Sequence, residues 1–134
     1  MAHRQEIENQ FRKFESALKR LEEVLLIENY NDIIRDSAIK RFEFTFEMLW
    51  KLIKRISYFE GKFCNSPRQC FKFAFSIGLI EDENLFLEIL EYRNLTVHTY
   101  YELNAKQVYE FLKEKGLIAF KSIYEKLKAY IDSI

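Results

Sequence analysis

Apolar residues recur along this chain at alternating spacings of three and four. Ile7, Phe11, Phe14, Leu18, Leu21 and Leu25 form the first such series and predict an amphipathic helix ending near Glu28. Residues 29–32 are a short polar break. A second helix is predicted over about residues 33–59, with a main stripe of Ala38, Ile39, Phe42, Phe46, Leu49, Ile53 and Ile56. Phe44 and Met48 fall on a nearly opposite azimuth at about 100° per residue. A helix apolar on two faces either lies at the centre of a bundle or lends one face to a partner, and the second face here suits a dimer contact.

Punctuation along the chain separates three further helices. Glu60-Gly61-Lys62 breaks the second helix. Ser66-Pro67 reads as an N-cap followed by proline at the first helical position, where its missing N–H does no harm. The third helix carries Phe71, Phe73, Ala74, Phe75 and Ile77 and stops at Gly78, a suitable C′ residue. Asp82 is placed to cap a fourth, carrying Leu85, Phe86, Ile89, Leu90 and Tyr92. Asn104-Ala105-Lys106-Gln107 resembles a capping box that opens a fifth, which carries apolar residues from Val108 to Ile131 and is weakened at Gly116. The expected fold is all-α, an up-and-down bundle of four to five helices forming one domain over residues 1–134.

Composition narrows the function. With 3 Gly and 1 Pro against 13 Phe and 8 Tyr, the chain favours long helices over strand-rich or loop-rich folds. Its 21 Lys and Arg balance its 21 Asp and Glu, so no global field holds a polyanion, and any nucleic-acid contact needs a local patch. Lys40, Arg41, Lys106 and Lys113 are candidates for one, although a solvated helix face is the commoner use of such residues. No segment has the apolar core of a signal peptide or the length of a membrane span. Cys64 and Cys70 lack metal-site spacing and read as reduced thiols with a packing role in a cytoplasmic protein.

The polar stretch RNLTVHTY, residues 93–100, stands at the end of helix four. Continued as a helix, it would put Arg93 and His98 on different faces; in a tight turn they converge. Taken singly, each residue has a structural reading. Arg93 suits the C-terminal end of helix four or a pair with Glu88 or Glu91. His98 suits a backbone carbonyl, and Tyr100 suits simple packing. Taken together they are chemically coherent: a planar fork of donors for a phosphate, a group that titrates near neutrality, and a hydroxyl.

At this point the sequence resembles a known family. RNLTVHTY matches the R-x4-H-x-Y signature of HEPN proteins. KRFEFTFEMLWK (residues 40–51) and NSPRQCFKFAFSIGLI (residues 65–80) are similar to the corresponding helices of the nucleotidyltransferase substrate-binding subgroup, with NDIIRDSAIKRFEF supplying the approach. The resemblance runs from about Leu18 to the last helix. It implies a helical homodimer that brings two motifs into one cleft, and a metal-independent endoribonuclease that needs no cofactor. RNA rather than DNA would be the substrate. It also implies a partner, a minimal nucleotidyltransferase called MNT, acting as antitoxin by transferring AMP to the motif tyrosine. Carried over by position, Arg93 and His98 become the catalytic pair, Asn94 an orienting residue and Tyr100 the AMPylation acceptor. The competing expectation is a non-catalytic substrate-binding or partner subunit of such a nucleotidyltransferase.

Overall fold

The computed structural model describes residues 2–98 and 102–134. Every regular element among them is helical: α1 (Ala2–Leu25), α2 (Asp32–Phe59), α3 (Pro67–Ser76), α4 (Glu83–Leu95), a 3-10 turn (Thr96–His98), α5 (Glu102–Phe111), a π turn (Leu112–Gly116) and α6 (Leu117–Ser133). The last three run on without a loop as one long fifth helix, so the expected all-α bundle is the fold found, with five helices.

α2 is the central post, in contact with α1, α3, α4 and α5. Its inward stripe of Ala38, Ile39, Phe42, Phe46, Leu49, Ile53 and Ile56 is buried throughout. Edge-on aromatic contacts carry the core outward from it. Phe42 meets Phe46 at 6.3 Å, Phe46 meets Phe71 of α3 at 5.7 Å, and Phe71 meets Phe86 of α4 at 5.4 Å between ring centroids. Phe120 of α6 closes on Phe42 at 6.1 Å. The second face expected on α2 is only half apolar surface. Met48 packs against the core and accepts a hydrogen bond from Gln10 Nε2 at its carbonyl (3.2 Å), whereas Phe44 is 56% exposed.

The helix ends follow capping chemistry. Asn31, Ser66 and Asp82 accept hydrogen bonds from the backbone N–H groups of Ile34, Gln69 and Leu85. Gly61 and Gly78 take positive φ values of 76° and 82° and each closes a Schellman pair. After α2, Lys62 N donates to Ser57 O (2.8 Å) and Gly61 N to Tyr58 O (3.1 Å). After α3, Leu79 N donates to Ala74 O (2.9 Å) and Gly78 N to Phe75 O (3.1 Å).

Three expectations are corrected. α1 ends at Leu25, short of Glu28, and Lys113 Nζ donates at 2.8 Å to the Leu25 carbonyl that the helix end leaves without an intrahelical partner. Asn104 opens no helix. α5 already runs from Glu102, and the Asn104 amide donates to the carbonyl of His98 at 3.1 Å. Cys64 and Cys70 are not free thiols but a disulfide, with Cα atoms 5.1 Å apart. The cause is local: the Ser66 cap, reinforced by Asn65 N donating to Gln69 Oε1 (3.0 Å), folds the chain back so that Cys64 stands beside the first turn of α3.

Gly116 ends the π turn under the buried side chains of Leu112 and Phe111, and a Cβ there would stand 3.0 Å from Leu112 Cδ2 and 3.3 Å from Phe111 Cε2. Gly116→Ala is therefore expected to be near neutral, the helix-propensity gain of about 1 kcal/mol being offset by crowding. Gly116→Val is expected to lose about 1–3 kcal/mol, read from urea midpoints. A second expectation concerns alkaline pH. Tyr124 of α6 hydrogen-bonds the Glu15 carboxylate of α1; that bond, helped by burial and the negative charge of Glu15, pushes the phenol up to about 12. A pKa raised by folding adds stability that is full below the unfolded value of about 10 and is lost as pH climbs through the folded value. The stability difference between wild type and Tyr124→Phe should thus hold from neutrality to about pH 9 and decay between about pH 10 and 12. A difference unchanged at the top of that window, in urea titrations at stepped pH, would contradict it.

Candidate functional site

Arg93 lies in the last turn of α4, where the orphan carbonyls of the helix end favour a cation. Its side chain turns inward against α2. The guanidinium carbon stands 5.8 Å from the centroid of Phe46, and NH2 is 3.9 Å from Glu47 Oε1. NH1 donates to Thr96 Oγ1 at 3.4 Å. Among the described residues the carboxylate that meets Arg93 is Glu47 of α2, not Glu88 or Glu91 of its own helix. Arg93 Nε is buried and has no hydrogen-bond partner there.

Thr96 is the hinge between helix and turn. Its hydroxyl is 2.7 Å from the Arg93 carbonyl and 3.3 Å from Glu43 Oε2, tying the 3-10 turn to both α4 and α2. His98 ends the turn with its side chain exposed and its carbonyl held by Asn104. Asn94 is exposed on α4. Tyr100 lies outside the described residues.

On the far side of the motif, Arg35 of α2 is buried, with only 9% of its side chain exposed. It faces Asp32 at 3.5 Å, Asp36 at 3.1 Å and Glu102, the first residue of α5, at 3.9 Å. Thus Asn104 and Arg35 fix the chain on either side of residues 99–101. Exposed apolar side chains belong to the elements that meet here: Ile33 is 80%, Val97 62% and Leu103 67% exposed.

The motif residues were visible in the sequence; Glu43, Glu47, Thr96, Arg35 and Asn104 were not. Arg35 had a signal, since it precedes Ala38, Ile39 and Phe42 in the buried period of α2, a place where an arginine needs carboxylates. Glu43 and Glu47 had none. They sit on the polar side of α2 like any solvated glutamate, Glu47 with an ordinary same-helix partner in Lys51, and only the approach of α4 brings them to Thr96 and Arg93. Chemically, the assembly is a half-buried cation held over an aromatic ring, followed five residues later by an exposed histidine at the end of a short turn. A phosphate reaching Arg93 would have to compete with Glu47, whose hold at 3.9 Å is loose.

Comparison with known proteins gives this arrangement its kin. The model of the family described as nucleotidyltransferase substrate binding protein like matches residues 9–129. A Thermus thermophilus protein of known crystal structure, 32% identical, superposes with a TM-score of 0.74 over 88% of this chain and 98% of its own. The tri-AMPylated Shewanella oneidensis HEPN toxin, solved in complex with MNT antitoxin, is 22% identical; it superposes with a TM-score of 0.74 over 92% of this chain and 96% of its own. A Haemophilus influenzae protein, HI0074, whose structure revealed the fold of a substrate binding domain of a nucleotidyltransferase, is also 22% identical. It superposes with a TM-score of 0.68 over 93% of this chain and 98% of its own. At 22% identity these two likenesses concern the fold. No curated protein matches the chain. Because the match spans residues from α1 through α6, the chain belongs to the nucleotidyltransferase substrate binding protein like family.

Proposed function

We propose that this chain is the partner subunit of a minimal nucleotidyltransferase and presents the turn between α4 and α5 to it. The observation that carries the reading is the commitment of Arg93 to its own fold. Its guanidinium rests on Phe46, faces Glu47 and braces Thr96, which is how an arginine holds a turn in shape for a partner. The apolar side chains of Ile33, Val97 and Leu103 offer that partner a contact beside the turn. Family membership and the nucleotidyltransferase complex of the Shewanella oneidensis relative support the same choice.

A second reading has an observation of its own. Arg93 Nε is buried without a hydrogen-bond partner, and Glu47 does not close on the guanidinium fork, so the arginine retains donors for a phosphate. In that reading the chain is a metal-independent endoribonuclease toxin acting as a homodimer. The RNA 2′-hydroxyl attacks the adjacent phosphorus and passes its proton to one His98. The second His98 protonates the departing 5′-oxygen, leaving a 2′,3′-cyclic phosphate and a 5′-hydroxyl. Arg93 steadies the charge on the phosphorane and Asn94 orients the turn. AMP transferred to Tyr100 by an MNT antitoxin would place a phosphate across the cleft, compete for Arg93 and silence the enzyme.

Two measurements separate the readings. Co-expressed with an MNT nucleotidyltransferase of its own genome, the chain is expected to co-purify as a stable complex, and Val97→Asp combined with Leu103→Asp to weaken that complex at least tenfold. Retention of the complex by the double variant would sink the proposed contact. Purified unmodified protein, incubated with total RNA in EDTA beside His98→Ala, is expected to leave the RNA intact in both tubes. Cleavage by wild type alone, with 2′,3′-cyclic phosphate ends, would establish the second reading instead.

A further inference from the structure

The groove between α1 and α2 has a chemistry that neither reading of the turn assigns. Two cavities of about 570 and about 580 Å³ follow one another along it. On α1 the lining positions His3, Glu6, Gln10, Lys13, Ala17 and Arg20 repeat at helical spacing, so they form a single stripe. That stripe is about 26 Å long at ~1.5 Å rise per residue. Facing it, α2 supplies Lys40, Arg41, Lys51, Lys54 and Arg55, interleaved with Phe44, Trp50 and Tyr58.

The furrow thus gathers seven lysines and arginines against one carboxylate, Glu6, in a chain whose net charge is zero. Three of the cations are answered: Arg55 by Glu6 at 3.1 Å, Arg41 by Glu23 at 3.8 Å and Lys51 by Glu47 at 3.7 Å. Among the described residues, Lys13, Arg20, Lys40 and Lys54 form no ion pair. Two of these lysines stand over rings instead. Lys40 Nζ is 5.6 Å from the Phe44 centroid, and Lys54 Nζ is 5.8 Å from that of Trp50 and 5.9 Å from that of Tyr58.

From this we infer that the furrow is a binding track for a single-stranded polynucleotide. Its phosphates would meet the four unpaired cations, and its unpaired bases would stack on Phe44, Trp50 and Tyr58 as the lysines swing from ring to phosphate. Charge selects this occupant over a second copy of the chain. A two-fold contact would lay the same cationic stripe on itself, which like-charge repulsion opposes. A duplex is disfavoured because its base faces are already stacked and cannot reach the rings. The track also borders the turn, since Glu47 accepts from Trp50 Nε1 at 3.3 Å while standing 3.9 Å from Arg93. A strand lying in the furrow would pass beside that arginine.

The test is fluorescence anisotropy with labelled twelve-nucleotide oligo(U), oligo(dT) and a duplex of equal length, in the His98→Ala background so that binding is read apart from any cleavage. Wild-type sequence in that background is expected to bind oligo(U), oligo(dT) or both at least tenfold more tightly than the duplex. Lys13→Ala, Lys40→Ala and Lys54→Ala together are expected to weaken binding at least tenfold at about 0.1 M salt and to lower the salt slope by about two, near 0.7 per lost phosphate contact. Phe44→Ala is expected to weaken it about tenfold with the slope unchanged. All four residues are exposed or line the open groove, so circular dichroism should match wild type. Binding by the triple variant equal to that of wild type would overturn the inference, as would equal affinity for duplex and single strand. Displacement of the oligonucleotide by poly-glutamate of matched charge at equal concentration would do the same and assign the furrow to an acidic protein. Loss of a dimer by the triple variant in light scattering would assign it to a second copy.

Discussion

Phe46 is the contact on which both core and turn depend. One edge of its ring meets Phe42 and Phe71 inside the bundle, and Arg93 lies over it from the outside. Because α2 is buried along its length, the position of that ring is set by packing against several helices at once. Arg93 inherits this rigidity: a cation held against an aromatic face, with the Glu47 carboxylate at its rim, cannot wander without giving up contacts of each kind. The turn that follows is therefore mounted on the buried core, although Val97 and His98 within it are exposed.

The carboxylates of α2 divide the labour between turn and furrow. Glu43 reaches the Thr96 hydroxyl, while Glu47 touches Arg93, Trp50 and Lys51 together. A single side chain thus links the α4 end to the α1–α2 groove. Ions on the same helix face would otherwise be independent and individually worth little. Sharing one carboxylate puts the charges of the two regions in direct contact.

Helical periodicity and capping chemistry made most of the fold legible. The stripe of α2, the caps at Ser66 and Asp82, and the glycine stops were all readable because each depends on neighbours within a few positions. What escaped depends on residues brought together from afar. Lys113 caps the end of α1 from 88 positions away, and Glu43 reaches Thr96 across 53. The disulfide joins residues only six apart, yet it needed the fold-back before α3, which cysteine spacing alone does not reveal. At the site, the sequence marked the arginine and histidine by type but could not show that a glutamate already holds the arginine.

The π turn before α6 has a consequence for how one rod serves two neighbours. Such a turn takes one residue more than an α turn to close its hydrogen bond, which rotates everything beyond it by about 100° relative to an unbroken helix. α5 lies chiefly on α2, whereas α6 lies on α1, with Tyr124 stacked on Phe11 at 5.3 Å. The rod changes its allegiance midway without bending away from the bundle. A phase shift of one residue steers the 17 residues of α6 onto a different helix, where a loop would otherwise have been required.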